Sequence, residues 1–183
     1  MKQIASCFIL GITPRSKQIG VSVFNGQELV FYAVKTFRKQ NRANSLKCLR
    51  EILIELLKKH QVQCVSLERI VYIQQHRSFV KTVYQELKTF SNEQNITLFE
   101  YEPKLIRQII CGLEKPTKHN TALLLSQRYS ELARYFNVPR LWQKRYFAQL
   151  FDAIAVGLIC AIECRETAQP AQFSSNPNET PNA

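Results

Sequence analysis

Two carboxylates stand where a side chain can do chemistry. Glu68 closes the short apolar run "QCVSLE", where a strand's last side chain projects at the sheet edge beside the end of its neighbour. Asp152, in "QLFDAIAVGLICA", is the only aspartate of the chain and sits among Ile154, Ala155, Val156 and Leu158. A charge in such company is costly unless something pairs with it. Taken singly, each also fits a plainer role: Asp152 as a first-turn residue favoured by the helix dipole, Glu68 as a strand-end surface group. A third position is conspicuous for what it lacks. The strand in "FILGITPRSKQIGVSVFN" ends at Thr13-Pro14-Arg15-Ser16, with threonine where such strands often carry a catalytic carboxylate.

Charge narrows the class of partner. The chain has 25 Lys+Arg against 14 Asp+Glu, a formal net charge of +11 and a pI of about 9.6. All the basic residues lie at or before Arg165, while Glu166 and Glu179 lie beyond it, so residues 1–165 carry +13. A body this basic favours polyanions, DNA or RNA first among them; a merely solubilising surface is the plainer alternative. Arg134, Arg140, Lys144 and Arg145 cluster around Trp142 and Tyr146, a mixture suited to phosphate contacts and stacking on opened bases. Both aromatics equally fit the capping of a core at a helix junction. The six cysteines are scattered without a C-x-x-C pair or a histidine at zinc spacing, which signals neither a disulfide framework nor a structural zinc site. Cys160 and Cys164, one helical turn apart, read as small core residues. No apolar run approaches the roughly 20 residues of a membrane span, and the start "MKQIASCFILGITP" lacks a convincing cleavage region. A cytoplasmic protein with no membrane partner is the expectation.

The elements that must position these residues follow from periodicity. Ile4–Ile12, Gln18–Asn25 and Glu28–Thr36 read as an antiparallel meander, with Asn25-Gly26 as its second turn. Asn44–His60 spaces Leu46, Leu49, Leu53, Leu56 and Leu57 as an amphipathic helix. A strand over Gln63–Leu67, a helix over Gln74–Glu93 and a strand over Ile96–Tyr101 come next. Helices over Lys104–Leu113, about Lys118–Phe136 and about Tyr146–Cys164 complete the pattern. Residues 166–183, polar and proline-bearing, read as a disordered tail to one domain of residues 1–165. Together these predict an α/β fold: a mixed five-stranded sheet, three antiparallel strands then two parallel additions, flanked by helices.

Four segments in order resemble RuvC-type Holliday-junction resolvases of the RNase H-like superfamily. "FILGITPRSKQIGVSVF" resembles the family's first two strands, where Gly-Ile-Asp-Pro-Gly-Ser is usual, and "VSLERIVYIQQH" its strand ending in a catalytic Glu. "ITLFEYEPKLIRQIICGLEKPTKHN" resembles its strand, Pro, basic helix start, Gly and following Lys. "FAQLFDAIAVGLICA" resembles its closing helix, in which a second Asp precedes the first by three residues. The likeness runs from about residue 4 to 165 and implies an RNase H-like sheet.

Carried across by position, the resemblance makes Glu68 and Asp152 metal-binding carboxylates and shows the other two acidic positions replaced, by Thr13 and Gln149. Such nucleases use two Mg²⁺ ions to stabilise attacking and leaving oxygens. With half the carboxylates gone and Arg15 at a position that is usually Gly, the expectation is Mg²⁺ held weakly or not at all, and little or no cleavage. Arg107 and Lys118 fall where the family places basic residues near the scissile phosphate; Lys104, Lys115 and His119 extend that patch, with Arg15 and Arg145 further candidates. The implied partners are branched or structured DNA, RNA as a second possibility, and a homodimer through the helix bearing Phe79, Val80, Val83, Tyr84 and Leu87, a stripe that equally fits core. A displaced Tyr72 would be the junction wedge. Two other classes stay open: a divergent endonuclease using Glu68, Asp152 and either Glu102 or a single metal, and a structural or assembly protein without nucleic-acid binding, which the +13 body opposes.

Overall fold

The structure is a computed structural model that describes residues 7–70 and 78–168. Five strands form one sheet in the order β3-β2-β1-β4-β5. β1 (Phe8–Pro14), β2 (Gln18–Asn25) and β3 (Glu28–Thr36) make the antiparallel meander, and β4 (Cys64–Glu68) and β5 (Thr97–Tyr101) add in parallel beside β1. This is the predicted mixed sheet. Apolar side chains on successive strand residues are buried on both faces, as a sheet sandwiched between helices requires.

One face packs on α1 (Arg42–His60) and α2 (Ser78–Glu93) through Leu10, Ile12, Val65 and Leu67. Asn41 caps α1, its Oδ1 accepting from the Asn44 backbone N–H at 2.8 Å, so the helix begins before the predicted Asn44. Val83, Tyr84 and Leu87 of the stripe are buried in this core with Phe79 packed at its margin, and Val80 is buried as well. The stripe is core rather than a free apolar face. The opposite side of α2 exposes Lys81, Thr82 and Gln85.

The other face carries α3 (Pro103–Cys111), α4 (Lys118–Arg128), a short 3₁₀ turn (Ser130–Leu132), α5 (Ala133–Phe136) and the long α6 (Leu141–Ala168). The single helix predicted over Lys118–Phe136 is broken at Tyr129. That residue adopts an extended backbone, and its hydroxyl donates to the Gln27 carbonyl at 3.0 Å. Docking to the β2–β3 turn thus overrides the helical pattern. α6 outruns its predicted span at both ends and extends three residues into the expected tail, because no Gly or Pro intervenes before Pro170; residues 169–183 lie outside the described residues.

α6 is apolar around most of its circumference, and Ala153 to Ala161 are almost wholly buried. Contrary to the sequence reading, it is long and apolar enough to cross a membrane, but 67% of its most apolar window is buried inside this fold. Small residues let it lie directly on the sheet. A Cβ on Gly11 would fall 2.6 Å from the Ala153 carbonyl oxygen, and one on Gly20 2.2 Å from that of Gln149. Ser22 and Ser66 donate hydroxyl hydrogen bonds to the Ala153 and Val156 carbonyls at 2.8 and 2.7 Å. Helix and sheet are therefore held in one register.

Candidate active site and nucleic-acid interface

Strand register sets the site. Gly11 pairs with Ser66 and Ile12 with Leu67 across the parallel β1–β4 ladder, so Thr13 and Glu68 are the next step, at the carboxyl ends of both strands. Side chains alternate along a strand, which puts Thr13 and Glu68 on the face that Gly11 and Ser66 present to α6. β1 runs two residues beyond the predicted Ile12, and Thr13 lies inside the ladder opposite Gly20. On α6, Gln149 and Asp152 are three residues apart and share a helix face. The Gln149 backbone sits over Gly20, the partner of Thr13.

Two cations meet the two carboxylates. The Arg15 guanidinium donates through Nη2 to Asp152 Oδ2 at 3.0 Å, and its Nη1 lies 3.6 Å from Glu68 Oε2 and 2.9 Å from the Pro14 carbonyl oxygen, to which it donates. Lys118, in the first turn of α4, donates to the same Asp152 oxygen at 3.1 Å. The Asp152 charge that looked costly in the sequence is thus doubly paired. Glu68 is the more deeply placed, 8% exposed. Burial pushes its carboxyl above the ordinary carboxylate range and the Asp152 charge pushes it further, while Arg15, Lys118 and the Thr13 hydroxyl pull the other way.

Buried polar atoms that make no hydrogen bond mark the same place. Thr13 Oγ1, Glu68 Oε2 and both amide atoms of Gln149 are buried and make no hydrogen bond among the described residues. Thr13 is 0% and Gln149 3% exposed. Such groups are uncommon in folded interiors, because each carries a desolvation penalty of roughly 1–3 kcal/mol.

A cavity of about 430 Å³ opens beside Asp152, between α4, α5 and α6. Lys118, His119 and Lys144 edge it, and Tyr135, Phe136 and Phe147 form its wall. The sequence reading named the flanking bases but not these three aromatics. Their signal was present as aromatics interleaved with basic residues, yet the break at Tyr129 is what turns Tyr135 and Phe136 toward α6.

The remaining candidates do not line this cavity. Lys104 and Lys115 are exposed, and Arg107 half-buried, on α3 and its connection to α4; Arg145 is exposed on α6. None of the four makes an ion pair among the described residues. Trp142 is 60% exposed, so it does not cap the core. Glu102, the third carboxylate of the endonuclease alternative, is exposed and paired with Arg69 at 3.3 Å. Tyr72 lies outside the described residues.

Known proteins place this arrangement. The structure of Thermus thermophilus RuvC has a TM-score of 0.68 at 18% identity, over 88% of this chain and 97% of that one. The structure of T. thermophilus RuvC in complex with Holliday junction substrate gives 0.69 at 19% identity, over 88% and 97%. The Fowlpox virus resolvase in complex with substrate Holliday junction DNA gives 0.51 at 15% identity, over 87% and 99%. At these identities the likeness establishes the fold. No curated protein sequence matches the chain. The family model for crossover junction endodeoxyribonuclease RuvC matches residues 9–158, a span that holds the β1–β4 ladder, Thr13, Glu68, Gln149 and Asp152. The chain belongs to the RuvC family.

Proposed function

We propose that this protein binds branched DNA as a RuvC-family member whose carboxylate centre has been converted from a metal site to an ion-paired one, with little or no cleavage. The observation that carries the reading is Arg15 lying between Glu68 and Asp152. Two divalent ions need carboxylate charge to hold them. Here two carboxylates are already met by Arg15 and Lys118, and the neutral Thr13 and Gln149 add no charge. The residues present do not fit a two-metal centre.

Binding is supported separately. The basic excess of the body, the unpaired Lys104, Arg107, Lys115 and Arg145, and the junction-bound relatives all favour a DNA backbone partner. Structured RNA offers the same phosphates and is an arm of the test. A homodimer on a two-fold junction belongs to the same reading; pairing through α2 would use its polar face, since the apolar stripe is buried.

The deciding experiment is a gel-shift panel with four-way junction, duplex, single strand and structured RNA, with and without Mg²⁺, followed by strand analysis for cleavage. Tightest binding to the junction, affinity falling steeply with salt and unchanged by Mg²⁺, and intact strands are expected. Metal-dependent cleavage abolished by Glu68→Gln would overturn the ion-paired reading. Flat, salt-insensitive or absent binding would overturn the nucleic-acid reading.

A further inference from the structure

At the other end of α6, four of the six cysteines gather on one core cluster: Cys64 from β4, Cys160 and Cys164 from α6, and Cys7 just before β1. The Sγ atoms of Cys64, Cys160 and Cys164 all lie within 4.8 Å of one another, and those of Cys160 and Cys164 are 3.9 Å apart. None of the four is in a disulfide among the described residues; Cys64 and Cys160 are buried and Cys164 stands at the rim. The same register that aims Glu68 at α6 aims Cys64 there, four residues earlier on β4.

The spacing is that of ligands around an ion. Metal–sulfur bonds of about 2.3 Å put the sulfurs of a tetrahedral site about 3.8 Å apart, close to the 3.9 Å observed for the helical pair. Bringing in Cys64 needs at most about 1 Å of side-chain movement from the 4.8 Å bound. The donor set is all sulfur, which selects soft thiophilic ions over Mg²⁺ or Ca²⁺. Small apolar packing explains a buried cysteine, but not three thiols from two remote elements converging on one point.

We infer that Cys64, Cys160 and Cys164 form a site for one thiophilic d¹⁰ cation, zinc or copper(I). Each ligating thiol gives its proton to solvent as the metal–sulfur bond forms. The ion would tie β4 to α6 about 12 Å along the helix from Asp152, at 1.5 Å per residue. This site is independent of the DNA-binding reading.

The test uses the full chain, reduced, stripped of metal and titrated with Cd²⁺ as a spectroscopic probe, then competed with Zn²⁺ and, anaerobically, Cu⁺. A sulfur-to-cadmium charge-transfer band saturating at one equivalent, with a raised Tm, is expected. Cys164→Ser, at the rim, should weaken Cd²⁺ binding at least ~10-fold while circular dichroism stays native. Cys48→Ser, outside the cluster, should change nothing. Displacement by Zn²⁺ or by Cu⁺ assigns the ion. No thiolate band from folded wild-type protein, a band undiminished in Cys164→Ser, or one equally lost in Cys48→Ser would overturn the site.

Discussion

The two ends of α6 differ in chemistry while sharing one frame. At one end Thr13 and Glu68 face Gln149 and Asp152; at the other Cys64 faces Cys160 and Cys164. Between them Gly11, Ser22 and Ser66 bring helix and sheet into direct contact. At the carboxylate end, charge is balanced by cations reaching in from the β1–β2 turn and from α4, and the site opens on an aromatic cavity. At the thiol end the groups are small, uncharged as thiols and mostly buried. A rigid frame therefore fixes where side chains meet, and residue type alone decides what the meeting point does.

The strongest perturbation restores charge to the first end. Thr13→Asp with Gln149→Asp places two more carboxylates in a buried site, and should destabilise the metal-free protein by about 3–5 kcal/mol. Mg²⁺ or Mn²⁺ should recover part of that loss in calorimetry. Failure of either ion to raise the Tm would show that the metal geometry has not been kept. Next comes the shared frame. Gly20→Ala drives a methyl against the Gln149 carbonyl and should cost about 2–3 kcal/mol in denaturant unfolding. Because Gly20 lies over the helix's carboxylate end, the proposed DNA binding should suffer more than Cd²⁺ binding at the thiols; equal loss would make the two ends one cooperative unit.

Arg15→Gln is milder. The side chain is 35% exposed and the pairs are partly screened, so a loss of about 1 kcal/mol is expected. With that cation gone, Glu68 should titrate higher still and divalent ions should bind better, both measurable by titration. The smallest effect is Glu68→Gln. The folded carboxyl titrates above its ordinary value of 4.5, so the fold binds more protons than the unfolded chain between those two values. This contribution to stability is fully present below about 4.5 and is lost as pH rises through the raised value. Above the raised value, ionised Glu68 weighs against the fold. Glu68→Gln should leave stability at pH 7 unchanged or raise it by up to about 1 kcal/mol, and should flatten the decline above pH 4.5. A Tm that falls in the variant at neutral pH would show the Arg15 pairing to outweigh burial.

How far each feature was legible follows its physics. The meander and α1 could be read because alternation and three-to-four spacing are local, and Asn25-Gly26 is a turn whose glycine takes φ +56°. The break at Tyr129 was illegible because its cause is a hydrogen bond to Gln27, about a hundred residues away. Motif order singled out Thr13 and Gln149 as positions where the resemblance expects carboxylates. The sequence reading also placed Arg15 beside the metal positions, but that Arg15 and Lys118 both close on Asp152 needed three separate elements to be assembled.

The thiols make the same point from the opposite side. Cys160 and Cys164 are legible as a helical pair, but nothing local points to Cys64. Composition, periodicity and the order of motifs determine the basic body and the strand–helix sequence, since these are properties of neighbours along the chain. Only the folding of α6 across β1 and β4 decided that each end of that face would gather its own cluster. Convergence depends on register between elements, and register is set by packing and hydrogen bonds that exist only once those elements meet.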